Sequence, residues 1–268
     1  MIFGAGGYLG TRVAARAAAL GHEVVGTATT TAGGWLAVDL RSRAAVLALI
    51  AEVRPQAVIN VAARMDDWQV CADGAGHVAV GAVEAGARLV HMSSDVVHGG
   101  RPEPYVESDL PAPLGRYGAS KAAGETAVVA IDPGAAVVRT SLIIGTDDSQ
   151  HIRMSYDMIT GRRPGVLFTD EIRCPVHVDD LAAATVELAG TDYAGVLNVA
   201  GPEAITRADL GRLVARRYGL DPAAVPTGSL AEAKLGPRAA EIRLDVARAR
   251  QVLTTTRLRP VAESVQPG

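Results

Sequence analysis

Two side chains near the middle of the sequence carry the first hint of chemistry. Tyr117 and Lys121 stand four residues apart in Tyr117-Gly118-Ala119-Ser120-Lys121. They open an Ala- and Val-rich run, residues 117–131, that also holds Glu125 and reads as a helix despite its glycines. Residues four apart share a helix face, so the phenol and the ammonium can point into one cleft. A phenol ionises near pH ~10, and a neighbouring cation stabilises the phenolate and lowers that value. Such a pair could give and take a proton near neutral pH. Alone the spacing is weak, because a surface tyrosine and a solvated lysine meet it by chance. The elements that must position the pair decide its standing.

Those elements begin at the first residues. An apolar start runs into Gly4-Ala5-Gly6-Gly7-Tyr8-Leu9-Gly10, then an Ala-rich segment (11–20) stopped by Gly21, then a second short strand at 22–26 (H-E-V-V-G). Strand, glycine-rich turn, helix and strand form the phosphate-binding half of a dinucleotide fold. The glycines permit a tight turn, and a pyrophosphate can then rest on the positive end of the helix. Only three residues precede Gly4, whereas a buried strand usually runs ~5–6. This leads to the expectation that the natural start lies a few residues upstream.

The alternation continues. Strands are expected at 35–38, 57–61, 88–92 and 135–139, with helices at 42–53 (capped by Ser42), 70–85 and 117–131. Farther on come a helix through Ala189, a strand at 195–200 and a helix at 206–218 capped by Thr206 with Asp209. Residues 147–164 hold one helix, 220–237 are broken by Pro and Gly, and the tail after Leu258 reads as frayed. The pattern implies an α/β fold: a Rossmann-type doubly wound parallel sheet with a small C-terminal substrate-binding lobe. The core is expected over 1–145, with 176–200 returning to the sheet, and the lobe over 146–175 and 201–268. Ligands bind such sheets at the carboxyl ends of the strands. Those ends carry residues 4–10, Asp39, Ala62-Ala63-Arg64, Ser93-Ser94-Asp95 and Thr140-Ser141.

Bulk properties narrow the function classes. With 268 residues, 49% hydrophobic and 21% charged, the chain can bury a large core. A net charge of −3 gives no electrostatic case for nucleic acid or an anionic membrane. No run approaches the ~20 apolar residues of a membrane span, and no basic region followed by an apolar one suggests a leader. Cys71 and Cys174 lack metal-ligand spacing, so two free thiols in a reducing cytoplasm are expected, and no metal.

Several motifs together resemble the extended short-chain dehydrogenase/reductase family, and within it the dTDP-4-dehydrorhamnose reductase (RmlD-like) sugar-nucleotide branch. They are G-A-G-G-Y-L-G at 4–10, V-D-L at 38–40, V-I-N-V-A-A at 58–63, H-M-S-S-D-V-V at 91–97, R-Y-G-A-S-K-A-A-G-E at 116–125 and V-R-T-S-L at 138–142. G-V-L-N-V-A-G at 195–201 and R-L-D-V-A-R-A at 243–249 extend the likeness over most of the chain.

The resemblance implies a reductase of a keto group, with Ser94, Tyr117 and Lys121 as its Ser–Tyr–Lys set. Tyr117 would protonate the carbonyl oxygen, Ser94 would hydrogen-bond it, and Lys121 would lower the Tyr117 pKa and bind the cofactor ribose. Gly4, Gly7, Tyr8, Leu9 and Gly10 would form the pyrophosphate turn. Asp39 and Leu40 would flank the adenine, and Ala62, Ala63 and Arg64 would line the cofactor cleft. Asp95, His98, Ser141, Leu142 and Arg173 fall on the substrate side, with Arg173 suited to a diphosphate. Plainer readings stand beside these: Asp39 as a cap near the 42–53 helix, Ser93 in place of Ser94, Arg64 as a solvated charge, Arg173 in a loop salt bridge.

Departures refine the expectation. The position after the second strand, where NAD-preferring folds carry an acid, reads Thr27-Ala28-Thr29-Thr30-Thr31. The lean is therefore to NADPH, with NADH open and Arg12 a further contact. Leu142 stands where relatives often have Trp, which loosens the assignment to a deoxyhexose, and Val96 after Asp95 argues against dehydration. The substrate expected is a nucleotide sugar, and a homodimer is left open. A second class of function also stays open: a non-catalytic NADP-binding regulatory subunit, similar to that of methionine adenosyltransferase. An epimerase or reductase of another carbonyl compound is a third.

Overall fold

The opening segment builds the first crossover. In this computed structural model β1 (Ile2–Phe3) leads through the glycine turn into α1 (Tyr8–Ala19), which starts three residues ahead of the expected helix. The structure describes residues 1–145, 147–233 and 235–266. Within the expected lobe, Thr146, Lys234 and the last two residues therefore lie outside the described residues. The backbone amides of Gly4 and Ala5 both donate to the Thr27 carbonyl, at 3.1 and 2.8 Å. A Cβ on Gly10 would fall 2.0 Å from the Gly4 oxygen, so α1 can start this close to the turn only without a side chain there.

The second strand is displaced from its expected place. β2 is Gly26–Ala28 rather than 22–26, because β1 pairs Ile2 with Gly26 and Phe3 with Thr27. The apolar Val24-Val25 pair drew the sequence reading too early; only the Val25 carbonyl joins the ladder, accepting from the Ile2 amide at 2.8 Å.

The remaining core elements follow the expected alternation. β3 (Leu36–Ala37), α2 (Arg43–Val53) and β4 (Ala57–Asn60) come first, with the Ser42 hydroxyl accepting from the Ala45 amide at 3.3 Å as a helix cap. The helix expected over 70–85 is two pieces, α3 (Trp68–Cys71) and α4 (Asp73–Glu84), joined at Ala72. Then come β5 (Arg88–Met92), α5 (Arg116–Ile131) and β6 (Ala136–Arg139). Seven parallel strands assemble in the order β3-β2-β1-β4-β5-β6-β11, with β11 at Gly195–Asn198. The order reverses between β1 and β4, which is the topological switch point of a Rossmann-type sheet. One face buries Ile2, Ile59, Val90 and Val138 against Val13 of α1 and Leu181 of α7 (Val178–Ala189). The other buries Phe3, Val58, Leu89 and Val137 against Val46, Val78 and Val128 of α2, α4 and α5. Burial on both faces explains why these strands read as continuous apolar runs.

The C-terminal part is built from short strand pairs. β7 (Ile143–Ile144) pairs with β10 (Val176–His177), β8 (Leu167–Phe168) with β13 (Thr227–Gly228), and β9 (Ile172–Arg173) with β12 (Ile205–Thr206). Around them lie α6 (Gln150–Ile159), α8 (Arg207–Arg217) and α9 (Ala247–Val252). As far as Gln266 the tail is not frayed: α10 (Val261–Ser264) packs Val261, with Val265 beyond it, against Ile144, Ile152, Leu210 and Val214. Arg259 anchors it through its side chain and backbone amide to Asp180 on α7, at 2.6–3.0 Å. Among the described residues no helix is long and apolar enough to cross a membrane.

Candidate active site

Helix α5 sits unusually close to the carboxyl end of β5, and its glycines are the reason. A Cβ on Gly118 would lie 2.1 Å from the Val96 oxygen, and one on Gly124 would lie 2.5 Å from the Cys71 oxygen. The helix therefore seats directly on the loop that follows β5. Lys121 is buried beneath it, and its Nζ donates to the Met92 carbonyl at 2.5 Å. Burial pushes the Lys121 pKa down, opposed by Cys71 and Glu125. Tyr117 is half-buried. Burial, then Cys71 and Asp95, push its phenol above the ordinary value. Desolvation of the phenolate dominates, and Lys121 is not among the groups that act on it, so the lowering expected from Lys121 is not seen. A phenol held in its protonated form is still matched to giving a proton.

The loop after β5 brings Ser93, Ser94 and Asp95 under the same helix. Ser93 is buried, its hydroxyl without a partner among the described residues, and its amide is tied to the Val138 carbonyl. Ser94 is half-buried and its Oγ lies 3.4 Å from Asp95 Oδ1. Of the two serines, Ser94 is the more exposed. Asp95 accepts from Ser141 at 2.6 Å and faces the Arg173 guanidinium at 3.8 Å, and burial raises its pKa.

The substrate-side set is largely inward. Ser141 also accepts from the Cys174 amide at 3.2 Å. Arg173 is buried and spends its guanidinium on the carbonyls of Ile172, Ala239 and Ala240 and on Asp95 and Glu171. The diphosphate role read for Arg173 does not match this placement; Arg173 pins residues 239–240 to the sheet end. His98 is only 1% exposed, stacked on Tyr105 at 3.9 Å, and burial with Arg139 nearby pushes it down to about 4. Leu142 is half-buried and packs toward the lobe core.

At the glycine turn, Gly7 is the N-cap of α1 and no side chain caps the first turn. A Cβ on Gly7 would meet only the Gly4 oxygen, at 3.3 Å. This open, uncapped helix end is the form a pyrophosphate needs, so the residues present fit a dinucleotide. Tyr8, Leu9 and Gly10 supply that first turn. Ala62 crosses beneath Gly4, where a Cβ would fall 2.8 Å from its Cα. Ala63 and Arg64 are exposed beside it, and Arg64 pairs loosely with Asp66 at 3.8 Å. Asp39 is exposed and clasped by Arg41 at 2.7 Å, which holds its carboxyl down to about 2. Leu40 is buried, and its carbonyl lies 2.9 Å from His77 Nδ1. Arg12 faces Asp179 on α7 at 4.0 Å.

Three features escaped the sequence reading. Cys71 lies close enough to act on both Tyr117 and Lys121. Glu125 forms a buried ion pair with Arg139 at 2.8 Å, fixing α5 to β6. Trp35 lies against the glycine turn. The i,i+4 spacing of Lys121 and Glu125 was the available signal for the second; the others depend on long-range packing.

With this geometry in view, residues 1–266 match the RmlD substrate binding domain family. A dTDP-4-dehydrorhamnose reductase of Mycobacterium tuberculosis is 34% identical over 256 residues, covering 89% of this chain and 82% of that protein. The methionine adenosyltransferase 2 subunit beta of Pongo abelii is 30% identical but covers 68% of this chain and 60% of that one. The crystal structure of dTDP-4-dehydrorhamnose reductase from Bacillus anthracis in complex with NADP superposes with a TM-score of 0.86 at 24% identity, covering 99% of this chain and 95% of that one. Fold, motifs and relatives agree, and the chain belongs to the RmlD substrate binding domain family.

Proposed function

We propose that this protein is an NADPH-dependent reductase of a keto group on a dTDP-linked 4-keto-deoxysugar, working in the cytoplasm, with NADH as the weaker alternative cofactor. The observation that carries the reading is the seating of α5 on the loop after β5, with Gly118 against Val96 and Lys121 on the Met92 carbonyl. That seating gathers the phenol, the serine loop and the buried ammonium at the edge that also holds the glycine turn.

The nicotinamide, when bound, supplies the hydride. The chain's own residues do the rest. Amides of the first turn of α1 would hold the pyrophosphate. Ser94 hydrogen-bonds the carbonyl oxygen as charge grows there. Tyr117, kept protonated by burial, gives that oxygen its proton. Lys121, fixed through the Met92 carbonyl, would hydrogen-bond the cofactor ribose. The sheet-bearing segments, 1–145 and 176–200, form the cofactor half in this proposal, and 146–175 with 201–268 frame the sugar nucleotide.

The test is nicotinamide absorbance with NADPH and dTDP-4-dehydrorhamnose. Tyr117→Phe should lower kcat about 10²–10⁴-fold while leaving NADPH affinity within a few-fold. Tyr117→Phe at full activity would remove the proton-donor role. Tight NADPH binding by the unaltered protein, with no consumption on any nucleotide ketosugar, would favour the regulatory-subunit reading instead.

A further inference from the structure

The end of β2 poses a recognition problem that the glycine turn does not solve. From residue 26 through residue 38 the chain has no acid and no base. The first acid beyond, Asp39, is committed to Arg41. In dinucleotide folds this strand end is where the adenosine 2′ position is read. Within this segment neither a carboxylate nor an arginine stands ready to do the reading.

Trp35 occupies that place. A Cβ on Gly6 would stand 3.3 Å from the Ala28 Cβ, which marks Gly6 as the turn residue beside the end of β2. The same point is 3.5 Å from Trp35 Cδ1 and 3.8 Å from its Nε1. On the opposite side, a Cβ on Gly33 would be 3.3 Å from Nε1. The benzene edge is buried in the sheet: a Cβ on Gly26 would come within 2.4 Å of Cε3. The indole is thus wedged by its benzene edge against Gly26, with its pyrrole edge turned to the glycine turn. It remains half-buried, and its N–H has no partner among the described residues. An indole N–H is a donor only, in a location where a 2′-phosphate would be the acceptor.

We propose that Trp35 is the residue that reads the adenosine 2′-phosphate, its Nε1–H donating to a phosphate oxygen while Thr29, Thr30 and Thr31 stand exposed beside it. The assignment deepens the NADPH reading and rests on it. Small residues at 6, 26 and 33 make room for the ring and for the approach of the cofactor backbone. The rigid wedge fixes the donor in advance, so little entropy is lost on binding.

The experiment is calorimetric titration of NADPH and NADH, without substrate, into the unaltered protein and into Trp35→Phe. Losing one hydrogen bond to a charged acceptor should weaken NADPH about tenfold or more and leave NADH nearly unchanged. A purely structural role would weaken both cofactors alike, and that result, or no change in either, would overturn the inference. If the unaltered protein binds neither cofactor, the NADPH reading itself falls and takes this one with it.

A second readout keeps the inference testable if Trp35→Phe folds poorly. The sequence has two tryptophans, so Trp68→Phe leaves Trp35 as the sole indole emitter. In that variant 2′,5′-ADP should quench or shift the emission at lower concentration than 5′-AMP does. Equal responses to the two nucleotides would overturn the 2′-phosphate assignment.

Discussion

Replacing Gly118 by alanine tests whether the closeness of α5 to the β5 loop positions the chemistry. The added methyl would stand 2.1 Å from the Val96 oxygen and 3.0 Å from the Pro113 Cβ. Comfortable carbon contacts lie near 3.5 Å, so the helix or the loop must give by about 1 Å. Neither can rotate freely, because Lys121 is held by Met92 and Glu125 by Arg139. Overpacking of this kind costs about 1–3 kcal/mol, a fall in Tm of roughly 2–10 °C for a chain of this size. A misplacement of about 1 Å between Tyr117 and the carbonyl lowers kcat on the order of 100-fold. The assay pairs a thermal melt with kcat on the nucleotide ketosugar. Gly76→Ala is the control on the facing helix, since its methyl would meet Ala127 at an ordinary 3.6 Å. Gly76→Ala should hold its activity and gain slightly in stability. Gly118→Ala with unchanged Tm and kcat within twofold of the unaltered enzyme would refute the reasoning.

Two further outcomes follow from buried charges. Glu125→Gln strands the Arg139 guanidinium, which is 3% exposed, and should destabilise the fold by about 3–5 kcal/mol; replacing both partners by Gln and Met should recover much of that loss in a urea melt. Stability should also fall in acid through the buried histidines. Burial pushes His98 down to about 4 and His151 to about 3, so the unfolded chain binds protons that the folded chain refuses. That stabilisation is complete above about pH 6.5 and is lost as pH falls toward 4. Tm measured between those limits should decline less steeply in His98→Phe, and an identical slope would count against the assignment.

Much of the sheet-bearing half could be read from residues alone, because its signals are local. Glycine spacing, the Ser42 and Thr206 caps and the two-face burial of β4 to β6 all leave marks within a few neighbours. The displaced β2 was not local: its register is set by a two-residue β1, and the Val24-Val25 pair was the stronger short-range lure. The lobe strands are two residues long, so they have no period to detect. Orientation was the other gap. Spacing put Ser141, Arg173 and His98 near the site, but only packing reveals that their polar atoms turn inward. The Tyr117 pKa moved against expectation for the same reason, since burial is a property of the whole chain.

The lobe core has a consequence for how the molecule assembles. Its apolar contacts join Ile144 and Ile152 to Val261 and Val265, segments that leave the ribosome far apart in time. The seven-stranded sheet is complete once Asn198 has been made. The glycine-turn edge of the sheet can therefore form while the C-terminal part is still an unfinished surface exposing Leu210 and Val214. A chain halted at Leu258 would keep its sheet but lose both the Asp180 clasp and the closing wedge of the lobe. Such a product would retain affinity for the cofactor and lose solubility before it lost its fold.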